Sequence, residues 1–273
     1  MTQYRCSSFP PEIVVLKFGS SILKSLDCFC NAVTEIKRFL DRKYKVIAVV
    51  SAIGNTTDNL IRSEQTFVCT KTQVSTKAHA LLLSTGELQS VAYLTQKLQQ
   101  QTIPADFITN PIIAEGDYND ATPKFINSKA FNTLLALQQV IVVPGFIANN
   151  DKNEPCLLGR GGSDLSALFI AHKLKAKCCI LLKDVDGVYD LDPNKHPKAI
   201  RFESLTYDCA KDKATQVIQT QAILWAKAHC LTFQIGKLNS DNYTSVGTLH
   251  TQFADRPQPN TLLDILILQQ ASC

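Results

Sequence analysis

The 273-residue sequence contains no G-x-x-x-x-G-K-[ST] run and no G-x-G-x-x-G run, which removes both the P-loop and the dinucleotide fingerprint as ways of holding a nucleotide. There is no C-x-x-C pair and no metal-ligand spacing among the five histidines His79, His172, His196, His229 and His250, so a structural zinc site is not expected. Residues 1–12 carry no apolar stretch or cleavage pattern, and no apolar run elsewhere is long enough to cross a bilayer. The expected address is therefore the cytoplasm, with no membrane partner. The formal charge of +4 is spread without a basic block or interleaved aromatics, which argues against nucleic acid as a partner. No repeat, low-complexity tract or linker interrupts the chain, so a short tail over 1–11 followed by one domain over 12–273 is expected. The 45% apolar content is ample for a core, and the ten cysteines, scattered singly through predicted helices and strands, read as reduced, buried small hydrophobes.

Against these absences stands the run LLGRGGSDLSALFIAHKL, residues 157–174, in which a glycine-rich turn leads directly into an apolar helix. The first turn of such a helix offers unpaired N–H groups and the positive end of the helix dipole, which favour phosphate or carboxylate. Arg160, between glycines, has little side-chain cover and is free to present its fork to a planar anion. The same residues also read simply as the turn that starts a helix, with Ser163 or Asp164 as its cap.

Strand and helix patterns alternate along the whole length. Strands are expected at 13–18, 45–52, 105–109, 140–146, 177–189, 230–236 and 262–268, and helices at 23–44, 75–101, 127–139, 164–174 and 210–228. Strands that are apolar on both faces and separated by helices imply a three-layer αβα sandwich around a mostly parallel sheet. Ligands bind such sheets at the carboxyl ends of the strands. Lys17 and Gly19, Ser51, Gly145, and Lys183 with Asp184 all fall at predicted strand ends, which points to one shared site.

Five segments, VVLKFGSS (14–21), VVSAIGNTTDNL (49–60), LLSTGELQS (82–90), LGRGGSDLSA (158–167) and KDVDGVYDLDP (183–193), occur in the order and with roughly the spacing seen in aspartate kinases. Over residues 13–249 the chain resembles the catalytic domain of those enzymes, which are members of the amino acid kinase family with the carbamate kinase-like fold. The resemblance implies ATP-dependent phosphorylation of the aspartate side-chain carboxylate with Mg²⁺ to give 4-phospho-L-aspartate, the first step of the aspartate pathway to lysine, threonine and methionine. Such chemistry needs no general base and no Ser/His/Asp array, because the acceptor carboxylate is already an anion at neutral pH. It needs alignment of two repelling anions and cancellation of charge on the transferring group.

By the same resemblance Lys17 bridges the carboxylate and the phosphates, and Gly19 and Ser20 give backbone access. Arg160 holds the substrate's α-carboxylate, while Glu87 and Asp164 neutralise its α-ammonium. Ser51, Thr57 and Ser163 add hydroxyl contacts. Asp184 lies near the phosphates and metal, Tyr189 and Asp192 line the base and ribose region, and Gln216 aligns with a lysine directed at the phosphates; Lys183 is an added cation beside Asp184, placed to offset it in part or to reach a phosphate. Plainer readings stand beside two of these: a solvated strand-end lysine for Lys17, and a first-turn helix acid for Glu87.

Three departures from the family pattern stand out. Gly19-Ser20-Ser21-Ile22 replaces Gly-Gly-Thr-Ser, Lys183 stands where threonine is usual, and Gln216 and Gln219-Thr220 replace a lysine and a His-Pro pair, with Lys211 or Lys213 as substitute cations. The chain also stops near where ACT regulatory domains would begin, so these are expected to be missing. A kinase for another small carboxylate, or a weak ligand-binding paralogue, remains the alternative reading, and a homodimer stays open.

Overall fold

In the computed structural model, which describes residues 11–68, 75–193 and 195–254, hydrophobic alternation translates directly into layers. The strands are β1 (Ile13–Phe18), β2 (Lys45–Val50), β3 (Ala105–Phe107), β4 (Ile112–Gly116), β5 (Ala121–Ile126), β6 (Val140–Pro144), β7 (Ile147–Asn149), β8 (Pro155–Leu157), β9 (Cys178–Lys183), β10 (Phe202–Leu205), β11 (Phe233–Lys237), β12 (Tyr243–Val246) and β13 (Gln252–Phe253). The helices are α1 (Cys28–Asp41), α2 (Thr56–Phe67), α3 (Thr76–Gln100), α4 (Ser128–Leu137), α5 (Gly162–Leu174), α6 (Tyr207–Lys213) and α7 (Thr220–Ala228).

Successive side chains of a strand point to opposite faces. Val15, Ile47, Val49, Ile141, Val143, Cys179 and Leu181 pack with Ala167, Leu168, Ile170 and Ala171 of α5 and with Ala222, Ile223 and Ala226 of α7. Their even-numbered neighbours, Val14, Leu16, Val46, Ala48, Val142, Ile180 and Leu182 among them, meet Phe29, Val33 and Ile36 of α1 and Val91, Leu94 and Leu98 of α3 on the other face. This is the expected αβα sandwich. The central sheet runs β13-β10-β12-β11-β9-β1-β2-β6-β3, and its pairs are parallel except for β11 with β12 and β10 with β13.

A second sheet, β5-β4-β7-β8, was not anticipated. Its segments are short and partly polar, and the stretch 151–156, expected as a loop or hairpin tip, forms the turn that joins antiparallel β7 and β8 and runs on into the first two residues of β8. α2 also escaped the periodicity argument, because it buries none of its residues. The helix expected over 210–228 is two helices, α6 and α7, broken over 214–219 with no proline or glycine to mark the break. The strand expected over 177–189 stops at Lys183 and gives way to a turn, with Tyr189 paired to Arg201 in an isolated bridge. The strand expected over 262–268 lies outside the described residues.

The cysteine expectation needs correcting in part. The described cysteines are all free, yet only Cys156 and Cys179 are buried, while Cys30 and Cys230 are exposed.

The layering makes a direct prediction about α3. Leu94 is completely buried against the sheet, whereas Leu81 on the same helix is 56% exposed. Leu94→Ala should destabilise the protein by about 2–5 kcal/mol, and Leu81→Ala by under about 1 kcal/mol. Urea unfolding of the two variants checks this, and similar losses for both would contradict the assigned face.

Candidate active site

The parallel strands β1, β2, β6 and β9 all end on one side of the sheet, and their ends carry Lys17, Ser51, Gly145 and Lys183. Lys17 and Lys183 share strand parity with Val15 and Leu181, so both project toward α5. There they meet the same carboxylate. Lys17 Nζ lies 2.8 Å from Asp164 Oδ1, and Lys183 Nζ lies 2.9 Å from Oδ2 and 3.1 Å from Oδ1. All three residues are at most 9% exposed. Burial opposes ionisation of Asp164, but the charges of Lys17 and Lys183 and their hydrogen bonds outweigh it and hold the carboxyl below the usual carboxylate range. Lys183 moves the other way: burial, and then the Lys17 charge, bring its ammonium down to about 8 despite Asp164.

Asp164 is therefore not the cap of α5. The N-cap is Gly161, and neither Ser163 nor Asp164 bonds back to the first turn as a side-chain cap. Gly159 and Gly161 have φ of 68° and 76°, and a Cβ on Gly161 would stand 2.5 Å from Cβ of Gln219. These two left-handed positions hold Arg160 outward, exposed. At the end of β1, a Cβ on Gly19 would come within 2.9 Å of Lys17 Nζ, so glycine there leaves room for the lysine to fold back toward Asp164.

Two clefts flank the Lys17–Asp164–Lys183 cluster. The smaller, about 300 Å³, is lined by Lys17, Ser20, Ser51, Thr57, Glu87, Arg160, Ser163 and Asp164, with Gly54, Asp58 and Phe146 among the further residues. The larger, about 600 Å³, is lined by Ser21, Lys183, Asp184, Tyr189, Asp192, Asp212, Lys213, Thr215 and Gln216, among others. The structure thus gathers Ser51, Thr57, Glu87, Arg160, Ser163 and Asp164 into one chamber and Lys183, Asp184, Tyr189, Asp192 and Gln216 into the other. Ser20 lines the smaller cleft and Ser21 the larger. Lys213, in the last turn of α6, lines the same cleft as Gln216, whereas Lys211 does not.

Glu87 sits in the interior of α3, eleven residues past Thr76, which removes the first-turn explanation. It is 3% exposed, its Oε1 accepts a 3.4 Å bond from the Ala52 N–H, and its Oε2 has no hydrogen-bond partner among the described residues. Burial raises its pKa to about 7. A buried carboxylate oxygen left without a partner is costly unless a cation or donor completes it. Across the same cleft stands Arg160, whose guanidinium makes no ion pair with the described residues. One chamber therefore offers an unmatched negative group and an unmatched positive one.

Sequence reasoning missed the convergence of Lys17 and Lys183 on Asp164. Strand parity and the parallel register of β1 and β9 would have revealed it, since both place the two lysines on the α5 face.

The amino acid kinase family model matches residues 12–235. The chain belongs to the amino acid kinase family. It is 30% identical over 262 residues to an aspartokinase of Thermus thermophilus, covering 93% of this chain and 63% of that one. The crystal structure of an aspartate kinase from Synechocystis matches with a TM-score of 0.72 at 28% identity, covering 85% of this chain and 39% of that chain. Escherichia coli aspartokinase III, solved with aspartate and ADP, also gives a TM-score of 0.72, at 20% identity, covering 87% of this chain and 65% of that chain, a likeness of fold. The chain spans less than two thirds of the length of these relatives.

The buried ion cluster predicts a specific stability defect. Asp164→Asn leaves two lysines buried without a counter-charge and should cost about 3–5 kcal/mol at neutral pH. The deficit relative to wild type should shrink as pH rises through about 8 and beyond, where Lys183 sheds its proton. Urea unfolding across this range tests it; a deficit under about 1 kcal/mol, or one that grows with pH, would contradict the ion cluster.

Proposed function

We propose that this member of the amino acid kinase family transfers the γ-phosphoryl group of ATP to the side-chain carboxylate of L-aspartate, giving 4-phospho-L-aspartate. The observation that carries this reading is the charge pattern of the smaller cleft. Glu87 offers its partnerless oxygen to an α-ammonium, and Arg160 offers a bidentate fork to an α-carboxylate. A zwitterionic amino acid satisfies both at once. The second carboxylate of aspartate then points toward Lys17, on the wall that faces the larger cleft. Hydroxyls of Ser51, Thr57 and Ser163 line the same chamber.

The larger cleft suits ATP. Tyr189 and Asp192 flank the base and ribose, and Gln216 and Lys213 lie beside the phosphates together with Asp184. Gly19 and Ser20 leave the backbone accessible at the end of β1. No cluster of three metal-ligating side chains occurs among the described residues. That suits a cation carried mainly by phosphate oxygens and one or two carboxylates. Asp184 is the residue that would hold Mg²⁺, which when bound neutralises phosphate charge.

Lys17 keeps its ammonium near both anions, so repulsion between acceptor and phosphate falls as they approach. No residue has to remove a proton, since the acceptor is already ionised. Low-dielectric surroundings make each of these charges count for more than it would in water. The E. coli relative bound to aspartate and ADP shares the fold and supports the pairing of ligands. On this reading the protein works in the cytoplasm, early in the synthesis of lysine, threonine and methionine.

A coupled assay of ADP release with aspartate, glutamate and acetylglutamate tests the reading directly. Turnover with aspartate is expected; preference for either of the others would transfer the chemistry to another carboxylate. Arg160→Lys should raise the aspartate KM at least about tenfold, the equivalent of one charge-assisted hydrogen bond, with the ATP KM within about twofold. Equal effects on both substrates would contradict the assignment of Arg160.

Glu87 adds a pH dependence with a definite sign. Its pKa of about 7 in the free protein lies above the ordinary carboxylate value, so it becomes neutral as pH falls through that range. The aspartate KM should therefore be flat above about pH 7 and rise below it. Glu87→Gln should raise the KM and remove this dependence. A KM that improves at acid pH would contradict the role of Glu87.

A further inference from the structure

Among the described residues, Lys183 is the buried cation of the site to which the reaction just described gives no task. An ammonium at 9% exposure is costly to keep inside a fold, and a strand end could carry an uncharged polar side chain instead. Its position is specific. Lys183 closes β9 beside β1, and the shared strand parity sends it and Lys17 to the same carboxylate from neighbouring strands. Two ammonium groups on one carboxylate leave the cluster with a surplus positive charge, which can be matched by an anion arriving from outside.

The two lysines also face different chambers. Lys17 lines the smaller cleft and Lys183 the larger, while Asp164 stands between them in the wall. A group that passes from one chamber to the other has to pass this wall. In the larger cleft the other lining lysine is Lys213, which is exposed, and Gln216 is neutral. A buried charge acts more strongly than an exposed one on an anion beside it.

Resting on the phosphotransferase reading above, we infer that Lys183 is a catalytic residue whose ammonium contacts the transferring γ-phosphoryl group from the nucleotide side while Lys17 contacts it from the acceptor side. In the step itself, an oxygen of the acceptor carboxylate bonds to the γ-phosphorus as the bond from that phosphorus to the β–γ bridging oxygen breaks. The electron pair of the broken bond stays on ADP, and no proton is transferred. Charge on the phosphoryl oxygens is met by Lys17 and Lys183 together, and Asp164 holds both ammonium groups at the wall in the absence of phosphate. Because burial and Lys17 already disfavour the charged form of Lys183, a phosphate oxygen supplies the counter-charge that Asp164 alone must divide between two partners.

The test compares wild type with Lys183→Met, measuring turnover and, without any acceptor, the binding of ATP and of ADP by calorimetry, each with saturating Mg²⁺. Lys183→Met is expected to lower kcat by about a hundredfold or more. It should weaken ATP by about tenfold while leaving ADP within about threefold. Equal weakening of ATP and ADP is what a purely structural role would give, and this, or a kcat within about threefold of wild type, would overturn the inference. If Lys183→Met melts far below wild type, Lys183→Gln, which still donates a hydrogen bond to Asp164, carries the same comparison. Failure of the wild-type protein to use aspartate would overturn the acceptor assignment alone, since the preference for ATP over ADP is read without an acceptor.

Discussion

The carboxylate of Asp164, gripped by Lys17 and Lys183, is the interaction on which the organisation of this site depends. It ties the first turn of α5 to the ends of β1 and β9, and so links the central sheet to the helix that lies across it. A buried ion cluster is a poor source of net stability, because desolvation consumes much of the Coulombic gain. Its value here is positional. Removing Asp164 leaves two like charges side by side where water has little access, so the carboxylate fixes the places of both lysines. The cost is accepted at the wall between two chambers, where fixed positive charge can act on transferring phosphate.

The smaller chamber follows a different electrostatic logic. Glu87 is kept deep in α3 with one oxygen unpaired, while Arg160 is held outward on a left-handed turn between Gly159 and Gly161. Neither group satisfies the other within the protein. Such a separated pair is poorly suited to stabilising the fold and well suited to a zwitterion of the right length. A fold alone does not fix the acceptor, so the choice of substrate has to come from these side chains.

Much of this was legible in the sequence because strand parity and helix periodicity determine which side chains share a face. β1 emerged with the expected bounds, and α3 within one residue at each end, as their apolar patterns are long and regular. The chemically important residues fell at strand ends because parallel strands open toward one edge of the sheet. What was hidden has equally physical causes. α2 buries nothing and so leaves no apolar stripe; the break between α6 and α7 carries no proline or glycine; and the small sheet is made of strands of three to six residues. The double pairing of Asp164 was concealed because it depends on β9 lying beside β1, a strand remote from it in sequence, with α5 packed across both.

Formation of an acyl phosphate is the most direct test of this chemistry. Incubating the wild-type protein with aspartate and Mg²⁺–ATP in the presence of hydroxylamine traps a phosphorylated carboxylate as its hydroxamate. The expected product is the hydroxamate of aspartate, formed in step with ADP and dependent on both substrates. ADP release without hydroxamate, or hydroxamate from another carboxylic acid but not from aspartate, would contradict the proposed transfer.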